Sequence, residues 1–172
     1  MSRTLLAQGR HLRFVAEDGW EYVERNAVSG IAVIVAVTDE GRLLLVEQYR
    51  PPVRQRVIEL PAGLAGDEAG REGEELVAAA RRELLEETGY EADTVSALAS
   101  GPPSVGVSSE VVTFFRAEGL RRVGPGGGEG SESIVLHEVE LGRVDAFLAE
   151  KAAEGLLVDP KVYAGLYLLH KR

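Results

Sequence analysis

The 172-residue chain contains no cysteine. Disulfides, thiolate nucleophiles and cysteine-ligated metal sites are therefore excluded. It also lacks any apolar stretch long enough to span a bilayer, and its opening residues, MSRTLLAQGRHLRFV, hold no continuous apolar segment of the kind that directs secretion. A cytoplasmic protein without a membrane partner is the expectation. Basic charge is scarce: 19 Lys and Arg stand against 28 Asp and Glu, a formal net charge of −9. With no Lys/Arg run, the chain is not expected to wrap a nucleic-acid backbone. An anionic substrate, if there is one, needs its charge offset locally, by bound cations or a few well-placed arginines. Two phosphate-binding signatures are missing as well. There is no P-loop pattern and no G-x-G-x-x-G opening a helix, and the glycines at 126–128 lie between two strand-like segments.

What remains is ordinary globular composition, 45% hydrophobic and 27% charged, in a length that suits one domain with a full core. HLRFVAE and WEYVERN alternate as two short strands, separated by a turn at Gly19. GIAVIVAV, from Gly30 to Val37, is an apolar β-branched run that predicts a strand covered on both faces. LLLVEQYR, from Leu43 to Arg50, reads as its hairpin partner, stopped by Pro51 and Pro52. VIELPAG, residues 57–63, is a further extended piece, and LAGDEAGREG, residues 64–73, is a polar loop. Helix formers run from Glu74 to Thr88 and close at Gly89. TVSALAS, EVVTFFRAE and IVLHEVEL read as strands, GPPSVGVSS as a loop, and VGPGGGEGSES as a flexible loop by its glycine content. RVDAFLAEKAAEG and PKVYAGLYLLHKR predict two terminal helices, the second begun by Pro160. No internal repeat is visible. Strands, a central helix, more strands and terminal helices together make an α+β pattern.

The chemically informative stretch is Arg82-Glu83-Leu84-Leu85-Glu86-Glu87-Thr88-Gly89. On a helix, Glu83, Glu86 and Glu87 share a face, repel one another, and sit at the end where the helix dipole disfavours anions. Divalent ions such as Mg²⁺ or Mn²⁺, which prefer carboxylate and phosphate oxygens, would relieve that repulsion. Glu-rich helix faces are common and most are only solvated surface, so the triplet taken alone favours that reading over a metal site. Arg82 either braces the carboxylates or is an ordinary exposed arginine.

The run Glu74-x7-Arg82-Glu83-Leu84-x-Glu86-Glu87-x-Gly89-Tyr90 resembles the Nudix box, G-x5-E-x7-R-E-U-x-E-E-x-G-U, at every fixed position but the first. The box glycine belongs six residues before Glu74, where this chain has Glu68. Gly63 is the better match, five residues further upstream, as if the loop between them were lengthened. VEQYRPPVRQRVIELPAG, residues 46–63, is similar to the ADP-ribose and nucleoside diphosphate sugar pyrophosphatase branch. SSE at 108–110, GEGSESIVLHEV at 128–139 and DPKVYAGLYLL near the end resemble it more loosely.

The resemblance implies a Nudix-type α/β/α sandwich with a mixed sheet and a loop-helix-loop box. It implies short N-terminal antiparallel strands over residues 1–28, serving dimerisation and the substrate pocket, and a Nudix domain over 29–172. It implies an enzyme that uses two or more Mg²⁺ (Mn²⁺ possible) to hydrolyse the pyrophosphate bond of a nucleoside diphosphate sugar, ADP-ribose first, and that works as a homodimer. Glu83 and Glu87 would be the main metal ligands, with Glu86 and the backbone carbonyl of Ala62 as further ones. Gly63 would let the backbone approach, and Glu74 would hold Arg82. Such chemistry needs cations to neutralise the diphosphate and a carboxylate to take the attacking water's proton. By position that base is Glu132, or Glu129 on the same loop, and either is otherwise a plain loop carboxylate. Arg50 would contact phosphate or ribose, or else form a surface ion pair. Glu110 would contact substrate or support the metal shell. Trp20 or Tyr22 would stack on the base, though a lone aromatic in a strand also fits the core. His137 has no metal-ligand spacing to another histidine and reads as structural. Two readings compete: a Nudix hydrolase acting on ADP-glucose, GDP-mannose, UDP-glucose or a dinucleoside polyphosphate, and a Nudix-like module that binds a nucleotide sugar without cutting it.

Overall fold

The computed structural model describes residues 2–67, 70–128 and 133–170. Strands β1 (Arg3–Gln8), β2 (Leu12–Glu17) and β3 (Trp20–Arg25) form an antiparallel three-stranded sheet of their own. The first of them was not expected: its six residues are all exposed, so no burial pattern betrays it. Strands β4 (Gly30–Ala36), β5 (Arg42–Arg50), β6 (Gln55–Glu59) and β7 (Ala62–Ala65) follow. Then come helix α1 (Leu76–Thr88) and strands β8 (Tyr90–Gly101), β9 (Val112–Arg122) and β10 (Val135–Glu140). Helix α2 (Val144–Ala153), the two-residue strand β11 (Leu157–Val158) and helix α3 (Pro160–Leu169) complete the described chain. Two four-stranded sheets result, ordered β10-β5-β6-β11 and β7-β4-β9-β8, each mixing parallel and antiparallel pairs.

The apolar run of β4 is buried on both faces, as strand alternation requires of a central strand. Ala32, Ile34 and Ala36 pack with Ala80 and Leu84 of α1, while Val33 and Val35 pack with Val144, Leu148 and Val162 of α2 and α3. Leu44 joins the first cluster, and Leu43 and Leu45 join the second. The sheets thus lie between α1 on one side and α2 with α3 on the other. No helix among the described residues is long and apolar enough to cross a membrane.

The segment VIELPAG is two strands, not one. Pro61 lies between β6 and β7, which belong to different sheets. The chain therefore crosses from one sheet to the other at the residues that face α1. The helix starts at Leu76, and Glu74 stands before it. It ends where Gly89 takes a left-handed conformation (φ 74°) and donates to the Leu85 carbonyl. The glycine loop after β9 is not loose where it is described. Gly127 and Gly128 donate to the carbonyls of Glu87 and Glu86 at 2.9 and 3.0 Å. These bonds satisfy helix-end acceptors that would otherwise lack partners. Only glycine suits this approach, because a Cβ on Gly89 would sit 2.2 Å from the Gly124 oxygen.

Candidate active site

Strand β7 runs antiparallel to β4, with Ala62 opposite Val33 and Gly63 opposite Ala32. This brings the backbone of Ala62–Leu64 against the polar side of α1. Arg82 is the centre of that contact. Its side chain is 9% exposed, and it donates to Glu83 at 2.8 Å, Glu86 at 3.0 Å, the Leu64 carbonyl at 2.9 Å and Glu74 at 3.1 and 3.2 Å. Glu74 also accepts from the Gly66 amide, and the Arg82 guanidinium holds its carboxyl below the usual range. One guanidinium thus ties the helix, the strand and the connecting loop together.

Removing a buried cation would leave these carboxylates uncompensated. Arg82→Met is therefore expected to destabilise the protein by about 3–5 kcal/mol. Denaturant unfolding of wild type and variant measures this directly, and a change under 1 kcal/mol would refute the hub role.

The carboxylate of Glu83 lies over Gly63, where an added Cβ would come within 1.9 Å of its Cδ. Burial pushes the Glu83 carboxyl up to about 7, against the pull of Arg82. Glu87, 4% exposed, accepts from the Ala62 amide at 3.0 Å. As the side chains stand, no three His, Asp or Glu among the described residues converge closely enough to hold a metal ion. Glu83 and Glu86 both turn to Arg82, and Glu87 turns to the strand. Glu83, Glu87, Ala62 and Gly63 nonetheless line one cleft, which Glu86 does not reach.

That cleft measures about 440 Å³. Its carboxylates are Glu59, Asp67, Glu83, Glu87, Glu110 and Asp159, against the cations Arg25, Arg50 and Lys161. Each cation already holds an acid: Arg50 grips Glu59 with two bonds of 2.6 and 2.7 Å, Arg25 meets Glu110 at 2.5 Å, and Lys161 pairs with Asp159. The excess of hard oxygen donors fits a divalent cation, and an anionic ligand entering here needs one.

The sequence pattern of the NUDIX domain matches residues 28–156. The chain belongs to the Nudix family. Members of this family generally use divalent metal ions. The chain is 39% identical over 155 residues to an ADP-sugar pyrophosphatase of Mus musculus, covering 84% of this chain and 67% of that protein. It is 40% identical over 91 residues to an ADP-ribose pyrophosphatase of Bacillus subtilis, covering 53% and 46%. The chain thus spans roughly half to two thirds of the length of the curated relatives it matches. A crystal structure of an ADP compounds hydrolase shares its fold, with a TM-score of 0.75 at 18% identity over 99% of this chain and 91% of the other.

Within this Nudix fold the expected residues fall into two groups. Glu83, Glu87, Ala62, Gly63, Arg50 and Glu110 line the cleft, with Arg82 and Glu74 behind them and Gly89 ending the helix. Trp20 lies elsewhere. It is neither core nor part of the cleft, but is 64% exposed in a separate groove with Tyr22, Val105 and Ser108. Glu132 and Glu129 lie outside the described residues. His137 bonds Glu47 at 2.9 Å and packs against Phe147, away from the cleft.

Sequence reasoning passed over Arg25, Glu59, Asp67, Asp159 and Lys161. Glu59 had a signal, being the one charge inside the apolar segment VIEL and now 4% exposed. Asp159 had the signature of a helix start before Pro160, and its side chain does accept from the Lys161 amide. Asp67, in the loop after β7, carried none.

Proposed function

We propose that this protein is a divalent-metal-dependent pyrophosphatase that hydrolyses a nucleoside diphosphate sugar, ADP-ribose first, to AMP and ribose 5-phosphate. The observation that carries this is the placing of Glu83 and Glu87 beside the Ala62–Gly63 backbone, in an acid-rich cleft whose cations are already paired. Support for an ADP sugar comes from the two relatives' names and from the Q-Y-R and L-P-A-G segments.

Glu83 and Glu87 would hold Mg²⁺ or Mn²⁺, with Glu86 reaching in once Arg82 releases it and the Ala62 carbonyl adding a backbone ligand. Two or more such ions, when bound, supply charge neutralisation and an acidified water. Arg50, kept in place by Glu59, orients the diphosphate oxygens. Glu110, bonded to Arg25, joins the N-terminal sheet to the same wall. Glu132 takes the proton of the attacking water, with Glu129 the alternative on that loop. Trp20 or Tyr22 would stack on the base.

The N-terminal sheet exposes apolar side chains on both faces, Leu5 and Trp20 on one and Leu12 and Phe14 on the other, which supports a homodimer and a distinct role for residues 1–28 beside a hydrolase domain over 29–172.

The test is a panel of ADP-ribose, ADP-glucose, GDP-mannose, UDP-glucose and a dinucleoside polyphosphate incubated with Mg²⁺, resolving AMP, GMP and UMP. AMP from ADP-ribose is the expected main product. Binding without release of any nucleoside monophosphate would favour a non-catalytic binding module.

A further inference from the structure

The loop between Gly63 and Glu74 is where this chain departs from the Nudix box: ten residues, 64–73, stand where the pattern has five. Both ends of the loop are fixed. Gly63 lies under Glu83, and Glu74 holds Arg82. Ser29 joins the two limbs near those ends. Its amide donates to the Ala65 carbonyl at 2.9 Å, and its hydroxyl lies 3.1 Å from the carbonyls of both Ala65 and Glu74. Gly66 follows in a left-handed conformation (φ 81°), and its amide donates to Glu74 at 3.4 Å. A Cβ there would come within 3.3 Å of the Ser29 hydroxyl and 3.4 Å of the Gly73 nitrogen, so the limbs meet at this point as well. The neck of the loop is thus closed at Gly66 and Gly73, and Asp67 is the first residue past it.

This neck sets Asp67 on the wall of the carboxylate cleft, with Ala62, Gly63, Glu83 and Glu87. The Glu83 carboxyl is raised first by burial and, less, by the charges of Glu86 and Asp67, which puts Asp67 within electrostatic reach of it. Asp67 also differs from the other cleft acids in its partners. Arg50, Arg25 and Lys161 grip Glu59, Glu110 and Asp159, while Glu83 bonds Arg82 and Glu87 bonds the Ala62 amide. Asp67 makes no hydrogen bond or ion pair with a described residue, so it can turn to a cation without breaking one. The chain belongs to a family whose members generally use divalent metal ions, and such ions take carboxylate oxygens.

We infer that Asp67 is a further carboxylate ligand of the divalent-metal site, supplied by the lengthened loop, and that with it the cleft holds a metal ion before any nucleotide enters. The inference rests on the pyrophosphatase reading above, in which Glu83 and Glu87 hold the metal, and adds a ligand that stands at none of the box's fixed positions. Hard divalent cations are held more tightly as charged oxygen ligands are added, whereas a site with fewer fills its shell from water and substrate phosphates.

The experiment is a titration of the nucleotide-free protein with Mn²⁺, read by calorimetry and by water-proton relaxation, for wild type, Asp67→Ala and Glu72→Ala. Glu72 is on the same loop but outside the cleft, where it accepts from the Gly70 amide, so its loss lowers the loop's charge without touching the site. Wild type should bind Mn²⁺ without nucleotide. Asp67→Ala should bind it about tenfold more weakly, and its bound ion should carry one more exchanging water in place of the lost oxygen. Glu72→Ala should match wild type in both respects. The Mg²⁺ concentration that half-saturates ADP-ribose cleavage should rise by the same factor in Asp67→Ala alone.

Equal weakening in the two variants, or weakening without a change in bound water, would mean that Asp67 acts only through the charge of the loop, and would overturn the inference. Unchanged Mn²⁺ affinity would overturn it too: with a raised KM for ADP-ribose Asp67 is a substrate contact, and without one it is a solvated loop residue. So would a failure of nucleotide-free wild type to bind Mn²⁺ at all. The pyrophosphatase reading fails on a different result, the absence of cleavage of any nucleotide sugar in the panel. The Mn²⁺ titration involves no turnover and decides the role of Asp67 by itself.

Discussion

Glu83→Gln is expected to lower kcat for Mg²⁺-dependent cleavage of ADP-ribose by about 10²–10³-fold, the loss typical of removing one preorganised charged group from an active site. The fold should survive, because the buried carboxyl that is replaced is already disfavoured in its charged form. Its pKa is raised from 4.5 to about 7 by burial. Between those values the folded, metal-free protein binds more protons than the unfolded chain, so this group's contribution to stability falls as pH rises through about 7. Divalent ions need the deprotonated form. Wild-type affinity for Mn²⁺, measured by calorimetry, should therefore climb with pH up to about 7 and then level. Glu83→Gln should bind more weakly and lose that rise. Full activity in the variant, or a pH-independent affinity in wild type, would remove Glu83 from the proposed metal site.

Gly63→Ala tests the same site from the opposite side. A methyl at this position would lie 1.9 Å from the Glu83 carboxylate, so one of the two must move. Displacing a reacting-site group by about 1 Å can cost about 10²-fold, and kcat/KM for ADP-ribose is expected to fall by at least that much. Overpacking should cost about 1–3 kcal/mol in unfolding free energy, well below what would unfold the protein at room temperature. The two substitutions act on one carboxylate, so the double variant should be little worse than Glu83→Gln alone. Additive losses would show that Gly63 serves some other purpose, and an unimpaired Gly63→Ala would show that the close approach is not needed.

These two residues illustrate what could be read from the chain alone. Glu83 announces itself through helical spacing, because residues 82–89 lie within little more than two turns and their relative placing is local. Gly63 was readable only through its motif. Nothing in residues 57–63 says that the strand breaks at Pro61, changes sheets and returns beneath the helix. The glycine loop adds, in its described part, contacts that composition does not reveal. Composition suggested freedom, yet Gly124, Gly127 and Gly128 bond to backbone groups of residues 86–89, and their missing side chains are what permit that approach. Trp20 was weighed as a stacking platform or as core, and the described chain leaves it on the surface of a sheet that stands apart.

The sequence by itself determined the family, the helix that carries the glutamates and the strand pattern of the core. Each depends on short-range spacing, periodicity or composition, which survive without knowledge of long-range contacts. Only the tertiary structure decided that Arg25, Glu59, Asp67, Asp159 and Lys161 meet Glu83 and Glu87 in one cleft, and that Arg82 reaches back to the Leu64 carbonyl. The cleft gathers residues up to 136 positions apart, from Arg25 to Lys161 (161 − 25). These placings follow from sheet order and from the crossing at Pro61, neither of which has a local signature.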